Sequence, residues 1–223
     1  MGFLTLAALA LMGSGIFLMR RNLKAIGPGP SQIMDTFSQM EQVLPLRQEE
    51  MAPLGETSLE LLAANPRKQQ PAFRSKGMES VVIGTLYEEP GVALVWKRFN
   101  SKDMKALAVG RDSINTYRFL FKSAQVEATV DGQPLGIFYR TERVLRGLRT
   151  GVLLASLHPH PSQGESLRLQ DREVLILPKD VMNDPSQLAR RAFVMLVNSL
   201  GAEERAIILT VFLILFLQEK YTL

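Results

Sequence analysis

The sequence predicts an α+β fold in which a small β-rich domain is flanked by helices, with a transmembrane helix at each end. Three observations carry this expectation. An uncharged apolar run, Gly2 to Met19, opens the chain, and a second, Ala206 to Leu217, stands near its end. Between them, from Glu79 onward, the hydrophobic periodicity changes from helical to strand-like.

The first run, GFLTLAALALMGSGIFLM, is about 27 Å long as a helix, close to a hydrocarbon core, and Arg20 and Arg21 stop it. A cleavable signal peptide carries its positive charge before the apolar stretch, so residues 2–19 are expected to be an uncleaved anchor. Leu6 stands where a myristoylation motif needs Ser or Thr. Residues 206–217 span only about 18 Å. Snorkelling of Arg205 and Lys220, with Tyr221 at the interface, would stretch them to a thin transmembrane helix; a buried or re-entrant helix in a partner's groove is the alternative. A span is favoured because Ile207, Ile208, Val211, Phe212, Leu213, Ile214, Leu215 and Phe216 are apolar all round the helix. The basic flanks of both runs, Arg20, Arg21 and Arg205, face the domain between them, which places both termini on one side if both runs cross.

Gly27-Pro28-Gly29-Pro30 breaks the first helix, and residues 31–66 form a helical segment. Met34, Phe37, Met40 and Leu44 make an apolar stripe that docks on the core, lies on a membrane surface or meets a partner; Met34, Phe37 and Met40 are partner-contact candidates. Thr57 and Glu60 have capping-box spacing for a short helix ending at Asn65-Pro66, and residues 67–78 read as a polar linker. Residues 79–180 supply about six to eight strands: 81–87, 92–99, 117–122, 124–130, 135–139, 151–157, 167–169 and 174–177, with Glu88-Glu89-Pro90-Gly91 and Asp131-Gly132 as tight turns. Residues 184–201 are expected to be an amphipathic helix carrying Leu188, Phe193, Leu196 and Leu200.

The net charge of +4 is spread over scattered basic residues, without the aromatic platform or reading helix of a nucleic-acid surface, so no nucleic-acid partner is expected. The chain has no cysteine, which excludes disulfides, thiolate nucleophiles, iron–sulfur clusters and cysteine zinc sites. His158 and His160, the only histidines, stand in His-Pro-His-Pro, read as an exposed loop rather than a metal site. Gly27-Pro28-Gly29-Pro30 has proline where a phosphate cradle needs free N–H groups. The pairs Glu49-Glu50, Glu88-Glu89 and Glu203-Glu204 read as solvated surface, and Trp96 as a strand residue in the core or at a partner interface. No catalytic residue, metal site or cofactor is nominated.

Thr141-Glu142-Arg143-Val144-Leu145, followed by Thr150-Gly151-Val152-Leu153, resembles a segment of the GIDE, or beside-a-membrane (BAM), domain family of mitochondrial and chloroplast outer-membrane RING ligases. Leu167-Arg168-Leu169, Leu175-Ile176-Leu177 and the segment from Ser186 follow in that family's order. The resemblance implies a β-rich domain between two membrane helices. The RING needs cysteines that this chain lacks, so ligase activity is not implied. Architecture and resemblance together suggest a non-catalytic, membrane-anchored accessory or scaffold subunit of a larger membrane protein complex, contacting other membrane subunits and the lipid bilayer. The alternative is a RING-less adaptor or regulator of an organelle outer-membrane ubiquitin ligase. The expected localisation is integral membrane, mitochondrial, with chloroplast or bacterial inner membrane as alternatives.

Overall fold

In the computed structural model, which describes residues 28–55, 59–63, 77–99, 101, 103–161, 164–178 and 191–223, eleven strands form one antiparallel sheet in sequence order. They are β1 (Met78–Gly84), β2 (Pro90–Arg98), β3 (Met104–Arg111), β4 (Thr116–Lys122), β5 (Gln125–Val130), β6 (Gln133–Tyr139), β7 (Val144–Gly147), β8 (Leu153–His160), β9 (Gly164–Leu169), β10 (Arg172–Pro178) and β11 (Val194–Met195). Local chemistry accounts for the meander. Left-handed residues occupy the reversals, among them Glu88 (φ 65°), Asp131 (φ 49°) with Gly132 (φ 75°), Arg143 (φ 57°) and Gln170 (φ 54°). Such turns return each strand beside its predecessor.

The two ends of the meander are joined by a short piece of chain that precedes it. Leu62 bridges to Thr85, just beyond β1, and Ala63 bridges to Arg191, just before β11. The ladder includes Ala63 N–H to Gly84 O at 2.9 Å, Leu86 N–H to Leu61 O at 2.7 Å and Ala192 N–H to Leu62 O at 2.7 Å. The sheet thus closes on itself there, and backbone groups that would be left at an open edge are paired.

Helix α1 (Pro30–Gln42) and the chain after it cover the outside of β1–β3. Phe37 and Met40 pack with Met78, Val95, Met104, Leu107 and Val109, while Met51 packs with Val82 and Ala93. These strands are therefore buried on both faces, whereas β4 alternates, with Tyr117, Phe119 and Phe121 inward. The docking of α1 settles the fate of the apolar stripe at Phe37 and Met40: it joins the protein's own core.

The second helix, α2 (Ala202–Tyr221), lies inside the curved sheet, with every residue from Arg205 to Leu217 buried. Its neighbours come from far-apart strands. Phe212 meets Phe193 beside β11 (ring centroids 5.7 Å apart), and Tyr221 meets Trp96 of β2 (4.2 Å). Room for a helix about 10 Å across requires a wall of small residues. The inward positions of β3 are Ala106, Ala108 and Gly110, and β5, β6 and β8 contribute Ala128, Gly136 and Ala155. A Cβ at Gly110 would stand 2.9 Å from Leu94 Cδ2 and 3.2 Å from Leu213 Cδ1, which explains glycine at that position.

Several expectations are corrected. The predicted transmembrane helix at 206–217 is a core helix; it is apolar all round because the chain's own sheet surrounds it, not lipid. No helix among the described residues is long and apolar enough to cross a membrane. The described residues therefore form not an α+β domain flanked by membrane helices but a large antiparallel sheet wrapped on one helix and backed by another. The integral-membrane assignment, with its mitochondrial, chloroplast or bacterial inner-membrane localisation, loses that support: among the described residues no helix can cross a membrane. Residues 2–19, with Arg20 and Arg21, lie outside the described residues. Of the expected helix 184–201, residues 191–201 hold the strand β11 instead, paired through Met195 to Leu175 and Val194 to Ile176. The capped helix before Pro66 is reduced to a 3₁₀ turn, Leu59–Leu61. Strands β3 and β7 were not anticipated, and the hairpin partner of β9 runs to His160 rather than stopping at Leu157.

Candidate functional site

The polar chemistry of the fold gathers at the two ends of α2. At its N-terminal end Arg205 is 3% exposed and donates from Nη1 to the Leu54 carbonyl at 2.6 Å, with Asp112 Oδ2 at 3.5 Å. Asp112 closes the turn between β3 and β4 by accepting the N–H groups of Ile114 and Asn115, each at 2.6 Å, and it takes the Tyr117 hydroxyl at 2.9 Å. With the Asn115 amide oriented to satisfy its neighbours, its oxygen accepts from Arg205 Nη2 at 2.9 Å and its nitrogen donates to Asp131 at 3.0 Å. Burial and the Asp112 carboxylate push the Tyr117 phenol far above its usual range, so it stays a neutral donor. Every member of this cluster has a partner, and its effect is to pin α2 to the turn that follows β3.

Beside it, a cleft of about 570 Å³ is lined by Leu154, Leu169, Gln170, Asp171, Arg172, Glu203, Glu204 and Ile207. Glu204 accepts the Gly201 N–H at 3.0 Å and pairs with Arg172. Those donors, the backbone N–H first, hold its carboxyl below the usual carboxylate range.

The C-terminal end of α2 is different. A cleft of about 380 Å³ is lined by Arg98, Phe99, Lys105, Arg140, Thr222 and Leu223. Strand alternation delivers two of its cations: Arg98 lies two residues beyond inward Trp96, and Arg140 two beyond inward Phe138. Lys105 sits at an irregularity in the β3–β4 register, between Met104 and Ala106, where an extra residue re-aims the chain. Arg98 donates to the Tyr221 carbonyl at 2.6 Å and lies 3.7 Å from Glu79, and Lys105 reaches the Ser101 carbonyl at 3.3 Å. Arg140 lies over the Phe121 ring at 5.7 Å. Its Nε and Nη2 are buried without a hydrogen-bond acceptor, and burial pushes its guanidinium below the usual value. Thr222, at the rim, holds the left-handed conformation (φ 54°) that ends the helix, an uncommon place for a β-branched residue.

The residues singled out from sequence disperse over this framework. Met34 is 54% exposed on α1, while Phe37 and Met40 are core. Trp96 is 1% exposed, inside the sheet against Tyr221. Arg205, expected as a membrane flank, is instead the buried end of α2, and Tyr221 is packed between Trp96 and Phe216 rather than at a lipid interface. Lys220 stands beside it, partly exposed. His158 and His160 are not in a loop but on β8, opposite Ser166 and Gly164. Ser156 Oγ lies 3.0 Å from His158 Nε2, a serine–histidine contact to which no described carboxylate adds a third member. Among the described residues no three His, Cys, Asp or Glu side chains gather as metal ligands. Arg98 and Lys105 were missed; for Arg98 the available signal was a cation in the inward register of an apolar strand, whereas Lys105 is aimed by the β3–β4 irregularity, which the sequence does not show.

No protein-family model, no curated protein and no solved structure matches this chain.

Proposed function

We propose that this chain is a non-catalytic accessory or scaffold component of a larger protein assembly, acting through its outer surface. The observation that carries this reading is the position of α2. A closed sheet of this size usually offers its interior to a ligand or channel, and here Ile207 to Leu217 fill that space with the protein's own side chains. What remains for recognition is the wall. Over β1–β3 it is already covered by α1, but the tip between β7 and β8 displays Leu148 and Val152, both about half exposed, next to Arg146 and Arg149. Exposed aliphatic side chains framed by arginines suit a protein partner.

The test is gentle extraction from native cells followed by size-exclusion chromatography with chemical cross-linking. The chain is expected in a discrete assembly of fixed stoichiometry. Leu148→Asp combined with Val152→Asp should release it while leaving its thermal midpoint unchanged. A free monomer throughout native extracts, or an assembly indifferent to both substitutions, would overturn the reading.

A further inference from the structure

Because the strands follow one another in an antiparallel meander, the β1–β2, β3–β4, β5–β6, β7–β8 and β9–β10 turns all stand at one mouth of the closed sheet. It is the mouth that holds the N-terminal end of α2, where Arg205 meets Asp112. Exposed apolar side chains gather there. Tyr87, Ile114, Leu148 and Val152 stand on these turns, each about half exposed or more, and Leu196 joins them where its N–H bonds Val174 O near the start of β10. Large apolar side chains exposed together on one face mark a contact surface. Two of the turns carry opposite charge: Glu88 and Glu89 follow Tyr87, whereas Arg146 and Arg149 flank Leu148. With the bridge at Leu62 and Ala63 as a further member of the closed sheet, these two turns lie half-way round from each other and face one another across the mouth. Of the other charges at this end, Asp112 is answered by Arg205, Arg172 by Glu204 and Arg191 by Glu60. Arg111 and Asp131 stand at neighbouring turns, β3–β4 and β5–β6, and Asp171 and Glu203 on the β9–β10 side.

We propose that a second copy of this chain docks on this mouth, related to the first by a two-fold axis lying across it. Such an axis sets the Glu89 tip of each copy on the Arg149 tip of the other, so the same contact forms twice. It also brings Arg111 of one copy over Asp131 of the other, and Asp171 toward Arg191. The rim is thus complementary to itself, whereas a nucleic acid or an anionic bilayer laid on it would meet Glu88, Glu89 and Asp131 as well as the arginines. Strand positions about 4.8 Å apart and tilted by about 40° give this closed sheet a mouth of about 12 Å radius, or about 450 Å² before side chains widen it. A standard interface takes about 800 Å² from each partner, so the dimer is a weak, reversible one. This dimer rests on the reading that the β7–β8 tip meets protein, and it gives that tip its partner.

The test is sedimentation velocity of the purified full chain over a wide concentration range. A reversible monomer–dimer equilibrium with a Kd of about 10–100 μM is expected. Arg149→Glu and Glu89→Arg each set like charges against one another at both symmetric contacts, and each alone should weaken the dimer by about tenfold or more. Mixed in equal amounts, the two variants should dimerise as tightly as the wild type, because every contact then joins a glutamate to an arginine. Both positions are exposed, and unchanged thermal midpoints establish that the variants fold. Should either fail to fold, Leu148→Asp decides, since it buries a carboxylate in the same contact and must abolish the dimer. A monomer at every concentration, a dimer indifferent to these changes, or charge variants that mixing does not restore would overturn the two-fold docking. A purified chain that stays monomeric yet sits in a discrete assembly in native extracts refutes the dimer alone. A purified dimer found free of other proteins in those extracts refutes the larger assembly alone.

Discussion

Replacing Arg205 by Met tests whether α2 is a core helix pinned at its N-terminal end. Met keeps much of the side chain's apolar volume but removes the donors to Leu54 O and Asn115 and the countercharge of Asp112. Asp112 is 0% exposed, so its carboxylate would stay buried with only neutral donors from Tyr117, Ile114 and Asn115. Breaking a buried pair from one side costs about 3–5 kcal/mol. For a chain of this length that corresponds to a fall in thermal midpoint of about 10 °C. Urea unfolding, followed by circular dichroism and tryptophan emission, gives the free energy. Adding Asp112→Asn should return part of the loss, because Asn still accepts the turn N–H groups without leaving an unpaired charge, and the double-mutant cycle should show coupling. A loss below about 1 kcal/mol, the size of an exposed ion pair, would refute the reasoning. It would instead suit an Arg205 at a solvent or lipid boundary.

Gly110→Val should destabilise the fold by about 1–3 kcal/mol through overpacking against Leu94 and Leu213, read as a lower urea midpoint with unchanged slope. Leu213→Lys places a charge where exposure is 0%, and should abolish cooperative unfolding and move the emission of Trp96, the sole tryptophan, to the red. Two carboxylates should show opposite pH dependence. Glu219 has its pKa raised, chiefly by burial, so the folded state holds its proton longer than the unfolded one; its presence costs stability as pH rises above 4.5. Glu219→Gln should match the wild type in acid and exceed it at neutral pH. Glu204 is depressed by the Gly201 N–H and Arg172, and contributes stability that is present above 4.5 and lost as pH falls below it. Glu204→Gln should therefore be weaker than the wild type at neutral pH and converge with it in acid; parallel curves for either pair would contradict the assigned shifts.

The strands were legible where short-range chemistry determines them. Alternation in Tyr117 to Phe121, the turn at Asp131-Gly132 and the β-branched runs around Val81 and Val92 each mark a strand or reversal without reference to the rest of the chain. Met104 to Arg111 was not legible, because Ala106, Ala108 and Gly110 lack the bulk that marks a strand, and they are small for the sake of a helix about 100 residues further on. Nor did the expected helix after Ser186 allow for the pairing of Val194 and Met195 with β10. In the candidate cleft, Arg98 and Arg140 follow apolar inward positions, which is a readable signal, but the register irregularity that re-aims Lys105 is a property of the β3–β4 pairing.

The sequence by itself determined the elements whose cause is local: a β-rich centre, an apolar stripe at Phe37 and Met40, a chain free of cysteine chemistry, and a uniformly apolar segment from Ala206 to Leu217. What surrounds that segment was decided only by tertiary structure. A helix apolar on every side satisfies lipid and a closed sheet equally, because both present apolar surface around its whole circumference. The difference lies in strands more than 100 residues away, in the small residues that widen the sheet's interior, and in the bridge at Leu62 and Ala63 that joins its ends.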